Sequence, residues 1–260
     1  MWIVLDPVNV AYGPATPSTA AVPQNLSTNY GGPRLMETDT VQNFPFGFRV
    51  KAFDPILGFG EFIYLQGVAS TVAGSLVNYN PFTGATTLNV PAAGAALPLA
   101  IAVAPTVANL FGWYQVGGTA LVANNATAAA GNAFQVGTGT ISSTATAGQQ
   151  ILGGARILVA NGSTFTKTGT TRNGSTEVFF SNLDAVFVGC PISGTGIPGG
   201  TTVAAGYNNS PNSRNSSAGS AAGLIMSAAA TADGTVTVTF TRTNFSLMSG
   251  WDYFGQGQIT

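Results

Sequence analysis

Histidine is absent from the 260 residues, and charge is nearly so: 7% of the chain is Asp, Glu, Lys or Arg, against about a quarter in an ordinary globular domain. Without histidine, neither a Ser-His-Asp nor a Cys-His catalytic arrangement can be built, and a histidine-ligated zinc or iron site is excluded as well. The single cysteine, Cys190, rules out an intrachain disulfide and reads as a small buried apolar side chain. A formal net charge of −1 provides no field to attract a phosphate backbone or an anionic membrane, so neither nucleic acid nor membrane is expected as a partner. Lys51 and Lys167 are the only lysines, and neither follows a glycine-rich loop, so there is no Walker motif.

In place of charge the chain carries Gly, Ala, Ser, Thr and Asn, with an ordinary 45% of hydrophobic residues. Disorder calls for low hydrophobicity and high net charge, so a folded protein is expected. From Phe62 to Ala155 there is no Asp, Glu, Lys or Arg at all. Within that desert the segment 91–116 is apolar, but Pro98, Pro105 and Gly112 cut it into runs too short for a membrane helix, and it reads as buried strands. The start, Met1-Trp2-Ile3-Val4-Leu5-Asp6, shows no secretory pattern.

Residues 1–43 hold Pro7, Pro14, Pro17, Pro23 and Pro33 among small polar residues and read as an extended N-terminal arm; a disordered tail and an arm ordered on a neighbouring subunit both fit, and the apolar tip Trp2-Ile3-Val4-Leu5 favours the second. From residue 44 short apolar runs alternate with turn residues, at the spacing of an all-β sandwich or barrel. Candidate strands are 48–53, 61–68, 75–80, 100–104, 112–122, 132–137 and 150–160. An Ala-Gly-polar pattern at 73–75, 130–132 and 147–149 reads as turns that launch strands.

A second β unit is expected over 161–243, inserted into a core formed by 44–160 and 244–260. Asn161-Gly162 and Asn173-Gly174 are type I′ hairpin signals. Residues 176–180 and 235–241 alternate with period two, Val236, Val238 and Phe240 on one face and Thr235, Thr237, Thr239 and Thr241 on the other. The stretch 206–223, rich in Asn and Ser, reads as an exposed loop. The unit's own apolar alternation suggests its own core, separable from the barrel.

Paired-carboxylate chemistry stays open by residue type, through Asp6, Glu37, Asp39, Asp54, Glu61, Glu177, Asp184, Asp233 and Asp252. Asp54 and Glu61 flank a turn, where capping is the expected role. Gly194-Thr195-Gly196-Ile197-Pro198-Gly199 spells G-x-G-x-x-G but leads into a strand, so it does not cradle a dinucleotide. Trp113 and Tyr114 lack basic neighbours and read as core or interface packing. No catalytic, cofactor-binding or metal-ligating residue is assigned, and no enzyme is expected.

The blocks 60–71 (GEFIYLQGVAST), 73–79 (AGSLVNY), 112–122 (GWYQVGGTALV) and 254–260 (FGQGQIT) resemble tailed-bacteriophage head decoration, or capsid cement, proteins. The resemblance covers 44–160 and 244–260. It implies a small β-barrel, a homotrimer on the outer surface of the virion at three-fold positions, the major capsid protein as partner, and no cofactor. Residues 186–240 resemble a β module common in phage structural proteins, through 188–203 (VGCPISGTGIPGGTTV) and 224–231 (LIMSAAAT), with 206–223 inserted where the module turns tightly. Two rival readings stand beside this one. A tail- or fibre-associated virion protein would grip a host-surface glycan through the inserted unit, and a carbohydrate-active enzyme would use paired acids.

Overall fold

The computed structural model describes residues 3–4, 35–89, 98–124, 135–136, 139–142, 156–160, 162–207, 222–242 and 245–249. The protein is all-β, with no helix among these residues. Its largest sheet curls into a half-barrel. That sheet contains β1 (Ile3–Val4), β2 (Thr38–Asp39), β3 (Arg49–Asp54), β4 (Gly58–Gln66), β5 (Leu76–Tyr79), β6 (Thr86–Leu88), β7 (Leu99–Ala102) and β8 (Phe111–Gly118). The strands run in the order β1-β3-β4-β8-β7-β5-β6, and β2 also pairs with β8.

Curling brings the far edge back toward β4. The Gln66 amide donates to the Gly84 carbonyl at 3.0 Å, and the Thr86 hydroxyl donates to the Gln66 carbonyl at 2.7 Å. Strand alternation then gives two apolar faces. Ile63, Leu65, Val77, Ala100, Tyr114 and Val116 fill the inside of the curl, while Val50, Ala52, Phe62, Tyr64 and Trp113 face the other way and pack with Leu35 and Phe44. Phe44, Tyr64 and Trp113 meet edge-on, with centroids 5.1 to 5.2 Å apart, the favoured aromatic geometry.

The bend is helped by a bulge. Glu61 pairs with Gly117 and Phe62 with Gln115, so β8 has one extra residue at that point. Gly118, at the end of β8, has φ +89, and a Cβ there would collide with the Phe59 carbonyl oxygen. Only glycine fits.

Behind the curl lies a three-stranded sheet, β12 (Arg156–Val159), β19 (Phe245–Ser249) and β9 (Ala120–Ala123), in the order β12-β19-β9. Its Ala120, Val122 and Ile157 pack with Leu76, Leu99, Ile101 and Ile141. Strands β10 (Gln135–Val136) and β11 (Ile141–Ser142) form a separate pair. The antiparallel pairing of β12 with β19 places the ends of the intervening segment side by side, the topology an insertion needs.

That segment forms a six-stranded sheet in the order β15-β18-β13-β14-β17-β16. Its strands are β13 (Thr164–Thr171), β14 (Glu177–Phe180), β15 (Ile192–Ser193), β16 (Val203–Tyr207), β17 (Ala222–Met226) and β18 (Gly234–Thr241). β13 and β18 pair in full register, so Thr164 faces Thr241, Thr166 faces Thr239, Thr168 faces Thr237 and Thr170 faces Thr235. The opposite face carries Val178, Phe180, Leu224, Val238 and Phe240 into the core.

The core of the second unit is not separate: Met36, Ala73 and Leu121 from the barrel belong to the same buried cluster as Phe187, Val188 and Phe240, with Leu57 and Val103 packed against it. Asn161-Gly162 makes no hairpin, because β12 pairs with β19 while β13 pairs with β14 and β18. Asn173-Gly174 does connect the paired strands β13 and β14, but only Gly174 has positive φ, so the turn is not type I′.

The end of the expected arm joins the fold, since Leu35 and Met36 are buried and β2 adds to β8. Ile3 and Val4 pair with Phe53 and Ala52 of the same chain. Residues 5–34, most of the 206–223 loop and 250–260 lie outside the described residues.

Candidate functional site

Two features stand out once the elements are in position: exposed apolar side chains on the barrel unit and a polar junction beneath the second unit. The exposed large hydrophobic residues among those described are Val41, Ile56, Phe59, Val72, Phe82, Val107 and Leu158. All belong to the barrel unit, none to 162–242. Ile56 and Phe59 sit at the tip of the β3–β4 hairpin, each 65% exposed, and Phe53 packs on Phe59 with ring centroids 5.1 Å apart. Phe82, in the β5–β6 turn, is 92% exposed. A large side chain this open contributes little to the core and is open to contact with another molecule.

Charge near this surface is internally paired. Arg49 Nη1 lies 2.7 Å from Glu61 Oε1, and its Nη2 donates to the Tyr79 hydroxyl at 3.3 Å. Tyr64 donates to Asp39 Oδ2 at 2.7 Å; burial and then the Asp39 carboxylate push its pKa well above the ordinary value.

At the junction, Asp54 is fully buried. Its Oδ1 accepts the amides of Ile56 and Leu57 at 2.9 and 3.0 Å, closing the hairpin turn, and its Oδ2 accepts the Ala185 amide at 3.1 Å. Burial alone would raise its pKa, yet it sits below the ordinary carboxylate value, with the Ala185 and Ile56 amides among the groups that stabilise the anion. Ala185 is held at φ 59, a conformation that costs a non-glycine residue. The carboxylate is therefore a clamp between units. Asp54 thus caps the turn as expected, whereas Glu61 does not: it pairs with Arg49.

The other residues singled out in the sequence fall into structural places. Trp113 and Tyr114 are buried in the barrel. The Tyr114 hydroxyl lies near those of Thr86 and Thr106 without reaching hydrogen-bond geometry with either, and burial pushes its pKa to about 12. Cys190 is fully buried, its thiol pushed up to about 11 by desolvation. The 194–199 segment makes turns, with Ile197 N donating to Gly194 O, and leads to β16. Among the described residues no group of His, Cys, Asp or Glu could hold a metal ion, and no helix is long and apolar enough to cross a membrane.

β13 is not among the candidate strands, although Thr recurs at every second position of 164–170. Lys167 and Gly169 occupy its inward positions and break the apolar signal there. Lys167 is accommodated by donating to Asn182 Oδ1 at 2.7 Å, with its pKa lowered by desolvation. The Thr pairing of β13 with β18 was consequently invisible.

No protein-family model, no curated protein and no solved structure matches the chain.

Proposed function

We propose that this chain is a structural virion protein, a homotrimeric cement protein that binds the outer surface of a phage capsid and bridges its capsomer junctions. The observation that carries the reading is the partition of the exposed large hydrophobic residues described: all seven lie outside 162–242, and three of them, Val72, Phe82 and Val107, fall in the stretch from 62 to 155 that carries no charge. Such a surface suits burial against protein, where an unpaired charge would be costly. The resemblance of 60–71, 73–79 and 112–122 to head decoration proteins points the same way, as does the all-β half-barrel.

A shell under internal pressure fails where capsomers meet. An apolar contact of about 1,000 Å² contributes at roughly 25 cal/mol per Å² before association costs, and three copies acting together gain avidity. In this reading the barrel carries the contacts with the major capsid protein and with its own copies, and the 162–242 unit stands away from the shell. Function needs no catalytic residue.

Light scattering and co-sedimentation test it. The isolated protein is expected at three times the 26.3 kDa chain mass and should pellet with undecorated heads. Ile56→Ser with Phe59→Ser should remain folded and lose attachment or trimerisation. A stable monomer that ignores heads would overturn the proposal.

A further inference from the structure

We infer that Lys167 and Asn182 join covalently, the lysine amine displacing ammonia from the asparagine carboxamide to leave an isopeptide bond between β13 and the turn after β14. The inference stands on the side chains of 167, 182 and 184 and is independent of the capsid reading.

Lys167 is one of two lysines in the chain, and it takes an inward position of β13, opposite the fully buried Val238. A half-buried ammonium ordinarily draws a carboxylate to itself. Among the described residues it donates instead to a neutral amide, Asn182 Oδ1, at 2.7 Å. Burial lowers its pKa, with Asp184 and then Asp54 opposing the shift, so the neutral, nucleophilic form of the amine is easier to reach than in water.

The other groups that amide exchange requires are gathered at the same place. β13 and β14 are antiparallel neighbours, with Gly169 opposite Phe180, which holds Lys167 beside the residues that follow Phe180. Asn182 Oδ1 also accepts the Asp184 amide at 3.3 Å, a donor aimed where negative charge gathers when an amine adds to Cγ. Contact at 2.7 Å with the oxygen brings Cγ near the roughly 3–3.5 Å of a near-attack approach, and a turn of the carboxamide about its broad terminal torsion presents its face. The Asp184 side chain supplies a carboxylate whose charge already acts on the amine. Asp54 is held out of this role by the three amides it accepts. Asn182 is exposed, so the ammonia it loses has a way out.

The step balances without a co-reactant. The Asp184 carboxylate takes one proton from the Lys167 ammonium, and the free amine forms a bond to Asn182 Cγ. As the carbonyl re-forms, the Cγ–Nδ2 bond breaks and Nδ2 leaves as ammonia with the proton that the new amide nitrogen sheds. The proton held by Asp184 then follows it, giving ammonium. Nothing is oxidised or reduced, and the chain loses one positive charge.

Mass spectrometry of the purified full chain tests this. After allowance for the substitution, its intact mass should lie about 17 Da, one ammonia, below that of Lys167→Arg. Trypsin should leave the chain uncut after Lys167 and release a branched peptide that joins 157–172 to 173–214. Lys167→Arg keeps the charge and the hydrogen-bond donor but cannot form the bond; it should lack the branched peptide and melt about 5–10 °C lower, as for loss of a link closing a short loop. Asp184→Asn should slow the appearance of the branched peptide about tenfold or more, and Asp184→Glu should restore it, which a merely structural role would not produce. Recovery of 157–167 and 173–214 only as separate linear peptides from the unaltered chain would overturn the inference. So would a deficit of about 17 Da without the branched peptide, the mark of ring closure at Asn173-Gly174 instead. Trimer mass and co-sedimentation with heads should be the same in Lys167→Arg, so failure here leaves the capsid reading untouched.

Discussion

Asp54 concentrates more structural duty than any other charged residue described, joining its own hairpin turn to Ala185 of the second unit. Replacing it with Ala leaves three amides without their acceptor, and we expect a loss of about 2–4 kcal/mol, read by urea unfolding at pH 7. Its folded pKa lies below the ordinary 3.8, so the stability it contributes is complete above that value and is lost as pH falls through the folded pKa. The wild type should therefore lose stability between pH 5 and pH 2, and Asp54→Asn should lose less over that window. Tyr114 is the opposite case. Its hydroxyl is buried without a hydrogen-bond partner, and Tyr114→Phe is expected to be neutral or to stabilise by up to about 1 kcal/mol. A clear loss in the same unfolding assay would show that the hydroxyl is satisfied.

Among the elements, those with unbroken alternation or clean glycine boundaries were legible in the sequence. The candidate strands 48–53, 61–68, 75–80 and 100–104 overlap β3, β4, β5 and β7. The candidate strand 112–122 is two strands, broken at Thr119, because β8 and β9 belong to different sheets. Nothing local signals that divergence. Gly118 does mark it, and Gly118→Ala should cost at least about 2 kcal/mol, since the new methyl meets the Phe59 carbonyl in a left-handed backbone. Thermal unfolding of the purified variant checks this. Short strands such as β2 and β15 owe their existence to their partners and not to their own two residues.

At the scale of the whole molecule, the sequence indicated an inserted unit, and the pairing of β12 with β19 has the topology of an insertion. What it could not indicate was how firmly the unit is seated, because Met36, Ala73, Leu121 and Phe187 are far apart in sequence and meet only in the folded chain. Excising 162–242 behind a short glycine turn uncovers that shared apolar surface and removes the Ala185 amide from Asp54. We expect the excised protein to be markedly less stable, or aggregated, in circular dichroism and light scattering. Full retention of stability would show that the shared cluster contributes little. The exposed hairpin tip was hidden, since exposure is a property of the assembled sheets; the threonine side of 235–241 was legible, but its pairing with 164–171 was not.

The central claim, that this chain cements a capsid from outside, is tested most directly by cryo-electron microscopy of virus particles released by cells that make it. The account predicts half-barrel density in threes on the outer shell, over three-fold or quasi-three-fold positions, with the 162–242 unit projecting outward. Particles that lack the chain, or that carry it only in the tail or the interior, would contradict it.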